Sequence, residues 1–229
     1  MALETNDLIH FLIIFSVLFC LYLFVGLYFL RKYILLNREV KTPGNENYIP
    51  LLFFFTIILI GIGHLFIVIH DLKTEFSTIN LNINNLVLYI IGLVFLLIGF
   101  SVYFFLTEVK IMQGRDKYIL AILYFTLNII SIILTGTYIG FLFIVLGAMI
   151  FLYLPFVYLY LAIKSDGKVR KKALSIFFGS ILIFLSYAMY IEPFFTNLKS
   201  LTGLVDIQME VIINYVRIMA LLFIFYGFK

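Results

Sequence analysis

The sequence has few of the residues that build soluble folds and common catalytic or metal sites. Charged residues make up only 12% of its 229 positions, tryptophan is absent, and Cys20 is the single cysteine. One cysteine excludes a disulfide within the chain and a cluster of cysteine metal ligands. Motifs of the HExxH, GxSxG and Walker types are missing, which argues against an enzyme. Every lysine lies at the edge of an apolar run or between runs, so a retinal Schiff base is excluded and we expect no cofactor.

What remains is overwhelmingly apolar. Hydrophobic residues account for 64% of the chain, including 27 Phe and 16 Tyr, and only a bilayer can accommodate so much apolar side chain. The runs are about 20 residues long, the length of a helix that crosses about 30 Å of hydrocarbon, and short alternating β segments are absent. The sequence therefore predicts an all-α integral membrane protein, a single domain of seven transmembrane helices over 8–30, 48–70, 86–106, 118–135, 138–163, 173–191 and 208–228.

The basic residues between these spans predict the orientation. Of the 16 lysines and arginines, 13 lie on the side of the connection 31–47, whereas the opposite side has only Lys73 and Lys199. Positive charge accumulates on the cytoplasmic side, so we expect the N-terminus outside, the C-terminus inside and the plasma membrane as the location. This asymmetry also accounts for the net charge of +4, and no nucleic-acid partner is expected.

The last span contains the most informative polar residues. Glu210, Asn214 and Arg217 recur at i, i+4 and i+7 and therefore share one face of a helix. An arginine at mid-bilayer costs about 2.5–3.5 kcal/mol on insertion scales, and such residues are candidates for function. We predict a ligand site formed by these three residues with His64 of the second span and Asn128 of the fourth. A purely structural arginine, satisfied inside the bundle, is the open alternative.

Two further features have competing interpretations. His10, His64, Asp71 and Glu192 lie toward the outer ends of their spans, and imidazole with carboxylate suits zinc or copper. None of these residues has metal-motif spacing, so hydrogen-bonded histidines are the favoured interpretation and no metal is predicted. Pro155 removes one backbone hydrogen bond within the fifth span. It is a candidate hinge, with simple packing as the default.

One part of the chain resembles a known class of protein. The segment Ser165-Asp166-Gly167-Lys168-Val169-Arg170-Lys171-Lys172-Ala173 with the helix that follows, and the ending Phe225-Tyr226-Gly227-Phe228, resemble the loop, sixth helix and terminus of seven-helix sensor modules of archaea and bacteria. In those proteins the module usually leads into a kinase or another cytoplasmic output domain. The resemblance covers about the last 65 residues, implies a sensing or signalling module, and carries over no ligand residues.

These observations favour a sensor or receptor-like module that binds a small or lipidic ligand in the outer half of the bundle. Because the chain ends at Lys229, we expect its output to come from a cytoplasmic or membrane protein partner. The alternatives are a small-solute transporter of 3+1+3 helix architecture and an accessory subunit of a membrane complex. A metal-dependent membrane hydrolase comes last.

Overall fold

The computed structural model describes residues 5–38, 47–74, 83–111, 118–134, 138–189 and 192–229, and within these ranges it contains helices and no strand. The helices are α1 (Thr5–Asn37), α2 (Ile49–Lys73), α3 (Ile83–Ile111), α4 (Ile119–Ile133), α5 (Tyr138–Lys164), α6 (Gly167–Ala188), α7 (Glu192–Thr202) and α8 (Asp206–Phe228).

Six of these helices are long and apolar enough to cross a membrane. They are α1, α2, α3, α5, α6 and α8, and they correspond to six of the seven predicted spans. The chain is therefore a multi-pass helical membrane protein. The fourth predicted span, 118–135, is the exception, because α4 has only 15 residues and is about 22 Å long at 1.5 Å per residue.

The backbone at Tyr118 explains why α4 starts where it does. Tyr118 has φ 62° and ψ 26°, a left-handed conformation that ends right-handed helical geometry on its N-terminal side. At its other end α4 stops before residues 135–137, which lie outside the described residues. The apolar character of the fourth span was predicted, whereas its reduced length was not.

Two other helices differ from the sequence expectation. The first span was predicted at 8–30, but α1 continues to Asn37 because no proline or glycine interrupts the segment that follows the apolar run. Between the sixth and seventh spans lies the short helix α7, which was not predicted. Pro193 is in its first turn, where a missing backbone N–H removes no hydrogen bond.

The chain divides into two compact units. The α2–α4 unit consists of Tyr22–Ile150, and the α6–α8 unit consists of Met1–Leu21 with Phe151–Lys229. The long helices α1 and α5 contribute to both. In α5 the division falls at Phe151, whose carbonyl is the one that Pro155 leaves without its helical N–H donor.

In the α2–α4 unit, glycines bring the backbones of α2 and α3 together. A Cβ atom built on Gly63 would lie 2.9 Å from the Gly92 carbonyl oxygen, and one built on Gly92 would lie 2.9 Å from the Gly63 carbonyl oxygen. A Cβ atom on Gly99 would lie 2.7 Å from Ile60 Cγ1. Small residues permit this close approach where lipid supplies no hydrophobic driving force.

In the α6–α8 unit, glycines likewise allow the backbones of α6 and α8 to approach closely. A Cβ atom on Gly179 would lie 2.9 Å from the Ala220 carbonyl oxygen, and one on Gly227 would lie 2.9 Å from the Lys172 carbonyl oxygen. The Ser175 hydroxyl donates a hydrogen bond to the Phe223 carbonyl at 2.7 Å. From one pair to the next the residue number increases on α6 and decreases on α8, so the two helices are antiparallel.

Candidate functional site

The three polar residues predicted on the last span are all buried on α8. Asn214 is 0% exposed, Arg217 5% and Glu210 6%. Arg217 is eleven residues from each end of α8, which places it about 16 Å from both ends at 1.5 Å per residue. The other two residues lie successively nearer the N-terminal end of the helix. The predicted stripe therefore faces protein, as the cost of placing it in lipid requires.

Arg217 contacts groups of α8 and of α6. Its Nη1 donates a hydrogen bond to Asn214 Oδ1 at 3.1 Å. Its guanidinium carbon lies 5.3 Å from the centre of the Tyr187 ring, within the range of a cation–π interaction. Asn214 and Tyr187 are both uncharged groups, and an amide oxygen and an aromatic ring face each interact favourably with a cation.

Asn214 presents a second donor to the same interior. Its side-chain oxygen accepts the bond from Arg217, while its Nδ2 amide is buried and has no hydrogen-bond acceptor among the described residues. A buried amide donor without an acceptor is destabilising by about 1–3 kcal/mol. The guanidinium and this amide together suit a ligand that brings an anionic or hydrogen-bond-accepting oxygen.

The N-terminal end of α8 contacts α1 and the preceding helix α7. Gln208 Nε2 donates a hydrogen bond to Asp7 Oδ2 at 3.1 Å. One turn or more further along both helices, His10 Nε2 and the Tyr215 hydroxyl are 3.3 Å apart. Lys199 of α7 forms an ion pair with Asp206 at the first residue of α8. The two contacts between α1 and α8 indicate that these helices run in the same direction at this end of the α6–α8 unit.

His64 and Asn128, the other two predicted site residues, belong to the α2–α4 unit and have hydrogen-bond partners there. His64 is buried, and its Nδ1 lies 2.9 Å from the Tyr22 hydroxyl of α1. Asn128 Nδ2 donates to the Tyr124 carbonyl of its own helix at 2.8 Å, and its amide group packs against Gly147. These contacts give both side chains a structural role within their unit.

The sequence analysis did not identify the buried carboxylate of Glu108 or the half-buried ring of Tyr187 as polar partners. The Glu108 carboxylate accepts the backbone N–H groups of Leu120 at 2.8 Å and Ala121 at 3.4 Å. It therefore caps the N-terminus of α4 from α3 and interacts favourably with the helix dipole. The sequence did contain a signal for Glu108, because an acidic residue lies just after the predicted span 86–106 and before a short connection to the next span. Nothing in the sequence marked Tyr187.

The candidate metal ligands do not form a recognisable site among the described residues. His10 contacts Tyr215, His64 contacts Tyr22, and Asp71 contacts its neighbour His70 at 3.0 Å. Within the side chains that the structure describes, no three His, Cys, Asp or Glu residues are grouped as a metal site requires. Glu192 begins α7, and its side chain lies outside the described part.

Comparison of the chain with protein-family models, with curated proteins and with solved structures found no match.

Proposed function

We propose that this protein is a receptor-like sensor module that binds a small or lipidic acid beside Arg217 and Asn214. The observation that carries the proposal is a buried guanidinium at the middle of a membrane helix, next to a buried amide donor. Both groups are donors, and a carboxylate or phosphate oxygen is the acceptor that suits them. Glu210, one further turn away on the same face, would limit how much negative charge the ligand carries.

Seven crossings of the plasma membrane, with the N-terminus outside, form part of this proposal. In the α2–α4 unit, α4 runs antiparallel to α3, because Phe104 stacks on Tyr124 and Glu108 bonds to Leu120. In the α6–α8 unit, α1 and α8 begin at the same end. If α1 and α8 start on the same side of the membrane, the number of crossings is odd. The six long helices together with α4 give seven. The side with 13 basic residues against 2 is assigned to the cytoplasm, so Asn214 and Glu210 lie on the outer side of Arg217.

Signalling would require the ligand to bind two arrangements of α8 with different affinity. The close packing of α6 on α8 through Gly179, Gly227 and Ser175 leaves little room for independent movement. A displacement of α8 around Arg217 would therefore be passed to α6, whose first turns carry the basic segment at the cytoplasmic end. A protein partner would read the change there, as the resemblance to seven-helix sensor modules implies.

Thermal unfolding of the purified protein with a panel of acids tests the site. The panel pairs acetate, glutamate, decanoate and dodecyl phosphate with their uncharged amide or alcohol analogues. We expect at least one acid to raise the midpoint of the wild-type protein, and its neutral analogue to have a much smaller effect. In Arg217→Gln the increase should disappear, because the variant keeps a polar side chain and loses the charge.

Lys73→Gln is the matched control for that variant. Lys73 is exposed at the end of α2, so its replacement changes the net charge equally without touching the α8 stripe. The control should respond to the acid as the wild type does. If no acid stabilises the wild type more than Arg217→Gln, the proposed site is wrong.

A second candidate, a 3+1+3 transporter, is favoured by the way the two units are built. Each unit is centred on one antiparallel helix pair joined through glycines, α2 with α3 and α6 with α8. These are the helices that a repeat of three helices around a linker would relate to each other. Uptake of a radiolabelled acid by proteoliposomes that contain the protein, and its loss in Arg217→Gln, would support transport over sensing.

A further inference from the structure

A second candidate site lies on the exposed surface of the α6–α8 pair, near the C-terminal end of α8 and the N-terminal end of α6. An open groove of about 490 Å³ runs between the two helices. Its walls are formed on α6 by Lys171, Leu174 and Phe178, and on α8 by Met219, Leu222 and Tyr226. Apart from Lys171 at one end, the walls are apolar or aromatic.

The tight helix packing explains why there is a groove here. The backbones approach closely through Gly179 and Gly227, so the large side chains that flank the contact stand out on either side of it. Ser175 and Phe223 form the floor, and the Ser175 hydroxyl is occupied by its bond to the Phe223 carbonyl. The floor therefore offers little polarity to a molecule that lies in the groove.

The groove has one charged end. Lys171 and Phe178 are seven residues apart on α6, so the walls extend about 10 Å from the lysine toward the membrane centre. Lys168, Arg170 and Lys172 surround Lys171 in the first turns of α6, and all four side chains are exposed. A groove with a cationic end and apolar walls is complementary to a lipid with an anionic head group and an acyl chain.

We propose that this groove binds one anionic phospholipid, with its phosphate at Lys171 and an acyl chain between Phe178 and Met219. The lipid lies along the contact between α6 and α8 and covers the exposed apolar side chains that flank it. The site is separate from Arg217 and does not depend on the proposed acid ligand. The apolar walls favour a lipid over free phosphate, because an inorganic ion has no acyl chain to pack against them.

Native mass spectrometry tests the proposal directly. The protein is held in neutral detergent with equal amounts of phosphatidylglycerol and phosphatidylcholine of matched acyl chains. We expect one phosphatidylglycerol to be retained in preference to phosphatidylcholine. Lys171→Gln should weaken this binding about fivefold, the factor that corresponds to about 1 kcal/mol per lysine at an anionic surface. Lys168→Gln, which changes the same charge outside the groove, should have a clearly smaller effect.

A second pair of variants tests the apolar part. Met219→Trp narrows the groove, whereas Ile212→Trp adds the same bulk two turns away on α8, and both positions are exposed. Only Met219→Trp should reduce lipid retention, and Arg217→Gln should leave it unchanged. Equal retention of the two lipids, equal effects of the two lysine variants, or a protein dimer in place of a lipid adduct would overturn the proposal.

Discussion

Arg217 donates a hydrogen bond to Asn214 Oδ1 at 3.1 Å, within one turn of α8 and with both side chains buried. The bond joins the guanidinium to a neutral amide of its own helix. It orients the arginine and leaves the amide nitrogen of Asn214 directed to the same interior. The proposed function is built on this pair of buried donors.

Replacement of Glu108 by alanine should loosen the start of α4. The carboxylate accepts the N–H groups of Leu120 and Ala121, and loss of a helix cap costs about 0.5–2 kcal/mol. Hydrogen–deuterium exchange should increase in the first turn of α4 and remain unchanged in α6. Glu108→Gln, which keeps an acceptor oxygen, should show a smaller increase. If exchange in α4 is the same in Glu108→Ala and the wild type, the carboxylate does not act as a cap.

Removal of the Tyr22 hydroxyl should destabilise the α2–α4 unit modestly. This hydroxyl lies 2.9 Å from Nδ1 of buried His64, and hydrogen bonds between membrane helices contribute about 0.6 kcal/mol on average and up to about 1.7 kcal/mol. Unfolding in detergent should therefore show a lower free energy for Tyr22→Phe. Tyr153→Phe removes a hydroxyl from an exposed position of α5 and should have little effect. Equal losses in the two variants would argue against a structural role for the Tyr22–His64 contact.

An added methyl group should separate α2 from α3 at one position and be tolerated at another. In Gly92→Ala the new Cβ atom would lie 2.8 Å from Ile67 Cγ1 and 2.9 Å from the Gly63 carbonyl oxygen. Overpacking of this kind costs about 1–3 kcal/mol. In Gly26→Ala the nearest atom is Ile58 Cδ1, the end of a flexible side chain. Thermal unfolding should show a lower midpoint for Gly92→Ala than for Gly26→Ala, and the reverse order would contradict the packing described here.

The sequence was sufficient for the membrane helices because long apolar runs have one stable solution in a bilayer. It was less informative about α4 and α7, whose bounds depend on the left-handed backbone at Tyr118 and on a short amphipathic segment. Within the site, the shared face of Asn214 and Arg217 followed from helical periodicity. The contact of Tyr187 with Arg217, and that of Tyr22 with His64, could not be predicted, because the spatial order of helices does not follow from their order in one chain.

The most direct measurement of the central claim is the thermal unfolding of Asn214→Asp with and without the acid that stabilises the wild type. The new carboxylate would stand beside the Arg217 guanidinium and act as an internal counterion in place of the ligand. We expect a higher midpoint than that of the wild type in the absence of the acid, and no further increase when the acid is added. An increase equal to that of the wild type would show that the acid binds elsewhere and would contradict the proposed site.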